Sequence, residues 1–426
     1  MKKVAIRSFG CSANLHDAEL MAGMLTGQGH HLTEREEDAD TIILNICTVK
    51  GDAKSLKEIR RMKEAHPKAQ LLITGCITDR IVQGVKAVDD QISLLDTHHI
   101  DHIPAAIAGK QLIEVTGANT GRIEKIRIPK IRKNNAVHII LISEGCLNRC
   151  SFCSTRLIKG KVHSYPKEAI LEEVREAVFN GAKEIWLTSQ DNGAYGLDLY
   201  KQFEFGRLCK EIGNLRGTFW TRLGMANPDN IRKVLPDLLE AYKAKNIFRF
   251  IHIPLQSGND RILKAMNRTY RVNDYVNLVK TLKKAYPDIT IATDIIVGFP
   301  GETEEEFQDT LRIVEETRTP VINISRYVER EGTPAAEMEQ LHGRERKRRS
   351  RILTGLYERI SREENAKWLG WKGTVLIDEK GKDKTWVGRN YAYKPVVVKG
   401  NHKLGDIIEV RITDTTTFDL RGEVLD

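Results

Sequence analysis

Short apolar runs rich in β-branched residues alternate with helix-patterned segments in two separate series along this chain. That alternation leaves little besides parallel sheets with right-handed crossovers. In the first series Val4–Phe9, Thr41–Ile46 and Gln70–Thr74 read as strands. Asp17–Gly27 and Lys54–Ala65 lie between them with apolar residues at helical spacing. The expected unit is an α/β domain with a flavodoxin-like or Rossmann-like parallel sheet over residues 1–115. After a basic linker, 116–135, six more runs follow: Val137–Ile142, Glu184–Thr188, Phe219–Leu223, Arg249–Ile253, Thr290–Ile296 and Val321–Arg326. With helical patterns such as Lys167–Asn180 and Val272–Ala285 between them, they fit a partial βα barrel of TIM type over 136–340. A complete closed barrel is the alternative, although the spacing leaves no room for two more units. Within a helical linker, 341–369, Ile352, Leu353, Leu356 and Ile360 predict a long helix over Arg344–Leu369. Beyond Gly370 come Thr374–Ile377, Thr385–Arg389, Pro395–Lys399, Ile407–Thr413 and Phe418–Val424, which read as a small all-β barrel of five strands over 370–426.

At 426 residues the chain is long enough for two or three domains, and its 29% charged and 41% hydrophobic content is that of a globular protein. No run approaches the roughly 20 apolar residues of a membrane helix, and MKKVAIRSFGC does not read as a secretory signal. A cytoplasmic protein with no membrane partner is expected. Lys and Arg exceed Asp and Glu by 67 to 58, and the excess is concentrated. Gly121–Asn134 holds six basic residues against Glu124, Arg344–Arg351 six against Glu345, and Lys380–Lys403 seven against Asp383. Each could be a solvated face; three together favour a polyanion such as RNA or DNA. In the third segment Trp386, Tyr391 and Tyr393 interleave with the cations, which suits base stacking, unless those rings fill the small barrel's core.

Seven cysteines in such a chain point to metal sooner than to disulfides. Cys146, Cys150 and Cys153 stand in EGCLNRCSFC, directly after the first barrel strand. Three thiolates at this spacing can ligate three irons of a [4Fe–4S] cubane and leave the fourth open. An open iron can be chelated by the amino and carboxylate groups of S-adenosylmethionine. Buried structural cysteines and a zinc site are the alternatives; zinc normally takes four protein ligands, and no nearby His or fourth Cys is offered. Cys11, Cys47 and Cys76 each follow closely on one of the three N-terminal strands. Parallel strands bring their C-terminal ends to one edge, where open α/β sheets bind ligands, so these thiols could hold a second [4Fe–4S] cluster. Cys209 has no companion and reads as core.

CLNRCSFC at the mouth of a βα barrel resembles the signature of radical-SAM enzymes, and the resemblance extends along the chain. GCSANLHDAE at Gly10–Glu19, NICTVK at Asn45–Lys50 and TGC at Thr74–Cys76 are similar to the N-terminal domain of the methylthiotransferases. EIWLTSQDNGAYG, RLGMANP, HIPLQSGNDRILKAMNRTY, TDIIVGFPGETEEEF and REGTPAAEM continue it in family order, and the last domain resembles a TRAM barrel. Ser12-Ala13-Asn14 departs from a Met often found before the Asn, but Cys11 and Asn14 are kept. The resemblance implies two [4Fe–4S] clusters, on Cys146/Cys150/Cys153 and on Cys11/Cys47/Cys76, with S-adenosylmethionine as cofactor. Gln190 resembles the polar position that meets the methionine part of that cofactor. Arg222 and Gln256, at or just past strand ends on the catalytic face, are further candidates, or else structural hydrogen-bonding groups. GFPGE at Gly298–Glu302 lacks the Lys-Ser/Thr pair of a phosphate loop and reads as a barrel turn.

The implied reaction is radical abstraction of hydrogen from an unactivated C–H bond, delivery of sulfur from the N-terminal site, and methyl transfer from a second S-adenosylmethionine. The implied partner is tRNA, at the anticodon loop, with an electron donor and a sulfur source besides. The motifs look most like the archaeal and eukaryotic subgroup that acts on N6-threonylcarbamoyladenosine 37. The alternatives are N6-isopentenyladenosine 37 and an aspartate of a ribosomal protein. From another class, a non-catalytic RNA-binding zinc protein would fit the same basic segments.

Overall fold

The computed structural model describes residues 1–47, 51–116 and 122–425. Thr48–Lys50 of the NICTVK motif and residues 117–121 of the basic linker lie outside the described residues. The N-terminal domain runs β1 (Lys3–Ser8), α1 (Ser12–Gly27), β2 (His31–Leu32), β3 (Thr41–Ile46), α2 (Asp52–Ala65), β4 (Gln70–Gly75), α3 (Asp79–Lys86), β5 (Ser93–Asp96), α4 (Ile103–Ile107) and β6 (Ile113–Glu114). Its sheet is wholly parallel in the order β2-β1-β3-β4-β5-β6. This is the flavodoxin-like order, in which the chain reverses its direction of travel between β1 and β3. The central strands are apolar on both faces because helices cover both. Ile42, Leu44 and Ile73 pack with Ile59 and Met62 of α2, while Ile43 and Leu72 pack with Leu20 and Leu25 of α1. Helix α1 starts at Ser12, five residues before the apolar pattern announces it. Its first turns bury Asn14, His16 and Asp17 in place of apolar side chains.

The central domain follows as β7 (Val137–Leu141), β8 (Ser143–Glu144), α5 (Thr155–Lys159), β9 (His163–Ser164), α6 (Lys167–Phe179), β10 (Glu184–Thr188), α7 (Leu197–Tyr200), α8 (Phe205–Gly213), β11 (Trp220–Leu223), α9 (Pro228–Ala241), β12 (Phe250–His252), α10 (Asp260–Ala265), α11 (Val272–Ala285), β13 (Thr290–Val297), α12 (Glu304–Thr317) and β14 (Val321–Arg326). Two parallel three-stranded sheets, β7-β10-β11 and β12-β13-β14, are joined by parallel bridges Thr221–Ile247 and Met225–His252. The six expected strands therefore form one incomplete barrel, with its weakest pairing between β11 and β12. Cys209 is fully buried in α8 among Leu208, Ile212 and Tyr242, a core residue as its isolation suggests. The GFPGE segment is the turn from β13 to α12, as expected. Glu302 accepts from the Gly298 amide at 2.7 Å and from Arg349 at 2.8 Å.

Helix α13 (Gly343–Ala366) leads to a closed barrel of β15 (Lys372–Lys380), β16 (Thr385–Arg389), β17 (Pro395–Lys399), β18 (Ile407–Thr415) and β19 (Leu420–Val424). This barrel docks at the N-terminal ends of the central strands, opposite the cysteine loop. Arg249 donates its amide to the Tyr391 carbonyl at 2.8 Å, Asn134 donates to the Asp378 carbonyl at 2.6 Å, and Tyr393 lies 4.8 and 5.0 Å from the Phe248 and Phe250 rings.

That docking corrects the reading of the aromatics as a stacking surface. Trp386 and Tyr391 pack against the small barrel's own core and Tyr393 against the central domain, so the rings are spent on packing. The basic segments are also partly consumed within the fold. Lys125 and Lys130 of the linker pair with Glu144 and Glu173, Arg127 with Glu172, and Arg348 and Arg349 of α13 with Glu304, Glu345 and Glu302. Arg389 pairs with Asp378, and Lys394 donates to Asn365. Lys380, Lys382, Lys384, Lys399 and Lys403 remain exposed around two adjacent turns.

Candidate active site

Cys146, Cys150 and Cys153 occupy the loop between β8 and α5. Gly145 precedes them at φ +73°, and a Cβ there would stand 2.1 Å from the Lys161 carbonyl oxygen, so only glycine lets the loop close on itself. The loop is pinned by the strands' C-terminal surroundings. Ser151 donates its amide to the Met266 carbonyl and its hydroxyl to the Ala265 carbonyl, Asn267 donates to Arg149, and the Ala335 amide donates to the Ser151 carbonyl. Cys150 and Cys153 line an open cavity of about 530 Å³ together with Arg149, Arg156, Gly332 and Thr333. Burial pushes the Cys146 and Cys150 thiols up. Arg268 opposes this at Cys150, donating to its sulfur at 3.0 Å while also donating to Asn227. Asn227 and Asn230 in turn donate to Asp191 at 2.7 Å each. Arg268 was not among the residues legible in sequence; its place in ILKAMNRTY, at the end of a helical run, carries no chemical signal.

The structure sets Gln190 two residues beyond β10 and Gln256 beyond β12. The Oε1 atoms of both are buried without a partner, as is Arg268 Nε. Gln256 also holds φ +68°, while its amide donates to Asp294 and its carbonyl accepts from Ile296. Unpartnered buried polar atoms and a positive-φ non-glycine backbone suit the seat of a polar cofactor. Arg222 lies elsewhere, with partners of its own. Its guanidinium stacks 5.1, 5.4 and 5.5 Å from the Trp186, Phe250 and Tyr393 rings and lines a second cavity of about 300 Å³, toward the small barrel.

The three N-terminal cysteines follow β1, β3 and β4, at the C-terminal edge and across the switch point. Cys11 caps α1 and donates to Asn14 Oδ1 at 3.3 Å. Asn14 and Asn45 brace the edge reciprocally: Asn14 Nδ2 donates to Asn45 Oδ1 at 2.9 Å and Asn45 Nδ2 to the Asn14 carbonyl at 2.7 Å. Gly75, at φ +102°, lets β4 end against β3, where a Cβ would lie 2.4 Å from Asn45 Oδ1 and the Ile46 carbonyl. Cys47 stands between the other two. Hydrogen bonding with it raises the Cys11 thiol and lowers that of Cys76. No three His, Cys, Asp or Glu side chains among the described residues are arranged around a single metal ion. A cubane does not ask for that, since each thiolate binds an iron of its own, and two trios of cysteines on well-braced loops suit such a group.

The edge that carries Cys11 meets the C-terminal end of a barrel strand. Ser12, next to Cys11, hydrogen bonds with Thr188 at the end of β10. Behind that contact lies a buried charge network. Lys125 Nζ is 2.9 Å from Asp17, 2.7 Å from Glu144 and 3.0 Å from Thr97, and Lys159 Nζ is 2.7 Å from Thr97 and 3.7 Å from Asp17. It joins the first helix to both flanks of the barrel cysteine loop.

An incomplete six-stranded βα barrel with a three-cysteine loop after its first strand defines a radical-SAM enzyme. The Radical SAM superfamily matches residues 140–314, the uncharacterized protein family UPF0004 residues 3–95, and the TRAM domain residues 370–425. A radical S-adenosylmethionine methyltransferase from Kitasatospora setae shares the fold, with a TM-score of 0.54 at 14% identity over 79% of this chain and 75% of its own. A probable threonylcarbamoyladenosine tRNA methylthiotransferase of Methanothermobacter thermautotrophicus is 37% identical over 97% of each chain. The threonylcarbamoyladenosine tRNA methylthiotransferase of Homo sapiens is 34% identical over 99% of this chain and 74% of its own. The chain belongs to the threonylcarbamoyladenosine tRNA methylthiotransferase family. Membership of the radical-SAM superfamily implies S-adenosylmethionine and a [4Fe–4S] cluster. Among the described residues no helix is long and apolar enough to cross a membrane.

Proposed function

We propose that this protein converts N6-threonylcarbamoyladenosine at position 37 of the tRNA anticodon loop to its 2-methylthio derivative, in the cytoplasm. The observation that carries the reading is the Ser12–Thr188 contact, which joins the turn holding Cys11 to the C-terminal end of β10 in the barrel. A reaction that both activates a C–H bond and delivers sulfur needs two cysteine sites within reach of one substrate. When bound, a [4Fe–4S] cluster on Cys146, Cys150 and Cys153 with S-adenosylmethionine supplies one-electron cleavage chemistry, and a second on Cys11, Cys47 and Cys76 supplies the sulfur.

The chain's own side chains do the rest. Gln190 and Gln256 offer unpartnered carbonyl oxygens to the cofactor's polar groups, and Arg268 steadies Cys150 by donating to its sulfur. Arg222 props the small barrel through Tyr393. The exposed lysines of the β15–β16 and β17–β18 turns meet tRNA phosphates, giving affinity and register without reading bases. The test is mass spectrometry of tRNA nucleosides from cells with and without the gene. Loss of the methylthio-threonylcarbamoyl nucleoside is expected. An unchanged nucleoside together with loss of an isopentenyl derivative would reassign the substrate, and loss of neither would overturn the tRNA reading.

A further inference from the structure

The second cavity, about 300 Å³, lies where strands β11 to β14 meet α13 and the small barrel. Three cations line it, Arg222, Arg389 and Lys394, together with His252. Among the described residues no carboxylate does. Arg389 is matched by Asp378 at 2.8 Å; the other two cations are not matched. The Arg222 guanidinium lies among the Trp186, Phe250 and Tyr393 rings, and among the described residues it has no ion pair and no hydrogen-bond acceptor. Lys394 is 5% exposed and its ammonium donates to the neutral Asn365 Oδ1 at 2.9 Å, which leaves two further hydrogens. Thr290, which also lines the cavity, has its Oγ1 buried without a partner.

Cations in a cavity that supplies no acid of its own cost free energy unless an anion faces them. Contacts with ring faces use none of the five guanidinium N–H groups, whose planar fork matches a carboxylate. The size narrows the ligand further, since about 300 Å³ is the lower end of the range for ligand cavities. A backbone phosphate is flanked by two sugars and meets a surface, whereas a cavity of this size takes a terminal anion on a short organic chain. One wall connects to the proposed cofactor seat. His252 and Asn323 hold the Asp294 carboxylate at 2.9 and 2.8 Å, and the Asp294 carbonyl accepts from the Gln256 amide at 2.8 Å.

We infer that this cavity binds the terminal carboxylate of a short-chain organic acid, with Arg222 as the residue that selects for it and Lys394 in support. The threonylcarbamoyl group of the proposed substrate ends in such a carboxylate, and assigning the cavity to that group rests on the reading above. A free acid of the same chemistry is the other source.

The experiment is isothermal titration calorimetry on the full chain, purified anaerobically. One probe is an anticodon stem-loop RNA carrying threonylcarbamoyladenosine, as the free acid or as its methyl ester, so that the phosphates are the same in both. The other is N-carbamoylthreonine with its methyl ester. The parent should bind the acid at least about tenfold more tightly than the ester, the worth of a hydrogen-bonded charge. Arg222→Gln should bind acid and ester alike, and Arg222→Lys should keep part of the preference. If Arg222→Gln does not fold, Lys394→Gln is read in its place, and there the preference should narrow by about threefold or more. An Arg222-dependent preference in the RNA supports the inference and assigns the carboxylate to the substrate. The same dependence for N-carbamoylthreonine alone supports the carboxylate site and assigns it to a free acid. A parent that binds neither acid or does not tell acid from ester overturns the inference, as does a preference unchanged in Arg222→Gln or, where that is read, in Lys394→Gln. Because binding is measured and not turnover, such a failure leaves the methylthiotransferase reading standing.

Discussion

Lys125→Met tests how the N-terminal domain is held on the barrel. Lys125 is 1% exposed and, with Lys159, balances Asp17 and Glu144 in a buried set of two cations and two carboxylates. Methionine keeps much of the volume but leaves two carboxylates facing one cation. Truncating one partner of a buried ion pair costs about 3–5 kcal/mol, because the remaining charge is uncompensated. The four groups join α1 to the linker and to both flanks of the cysteine loop, so the loss should fall on domain docking and not on the barrel core. All five tryptophans, Trp186, Trp220, Trp368, Trp371 and Trp386, lie outside the N-terminal domain. Their fluorescence therefore reports on the rest of the chain, while far-UV circular dichroism reports every helix. In urea the dichroism midpoint of the variant should fall by about 1 M or more, at a slope of ~1–3 kcal/mol/M, and the fluorescence midpoint by less. Lys125→Met with Glu144→Gln restores neutrality and should recover part of the loss. Burial pushes the Asp17 and Glu144 carboxyls up, but Lys125 and Lys159 outweigh it and hold both below the usual range. Their stabilisation in the parent is thus present above an unfolded pKa of about 4 and fades as pH falls toward the folded values. In the variant one carboxylate is free to take up a proton, so the deficit should be smaller at pH 5 than at pH 8. A deficit below about 1 kcal/mol at pH 8, or one equal at both pH values, would refute the electrostatic account.

Glu19 behaves in the opposite sense. Burial raises its carboxyl to about 7 from an ordinary 4.5, so ionisation costs stability that is lost between those values as pH rises, as much as about 3 kcal/mol above pH 7. Glu19→Gln should raise the thermal midpoint at pH 8 and change little at pH 4, and equal effects at both would contradict the burial argument. Cys150→Ala should halve the iron bound per chain and abolish S-adenosylmethionine cleavage, whereas Cys47→Ala should keep cleavage and lose the methylthio product, as read by iron assay and chromatography. Replacing Lys380, Lys382, Lys384, Lys399 and Lys403 by Gln should weaken tRNA binding and flatten its salt dependence in filter-binding titrations; an unchanged slope would move the phosphate contacts elsewhere. Tyr393→Ala should cost about 3 kcal/mol of stability, on the scale of a large-to-small aromatic truncation, measured by denaturation, because the ring packs on Phe248 and Phe250 and under Arg222.

The elements that local pattern dictates were legible in the chain. Thr41–Ile46, Glu184–Thr188 and Val321–Arg326 are strands to the residue, since a short β-branched run bounded by turns has one easy conformation and parallel sheets bury it on both faces. The placement of the cysteines just past strand ends was legible too, because strand boundaries follow from local pattern. What the sequence could not display was any relation between residues far apart in the chain. The start of α1 was missed because its buried face is polar, and that face acquires meaning only when Lys125 and Lys159 arrive from other segments to neutralise Asp17. Tyr393 read as a candidate for base stacking until docking gave it Phe248, Phe250 and Arg222 as neighbours. The sequence alone thus determined most of the secondary elements and which of their ends carry cysteines, both of them properties of short segments. Only the tertiary structure decided which charges are buried, which cations stay exposed, and that the Cys11 turn meets the end of β10, because burial and Coulomb energy depend on distances that folding creates.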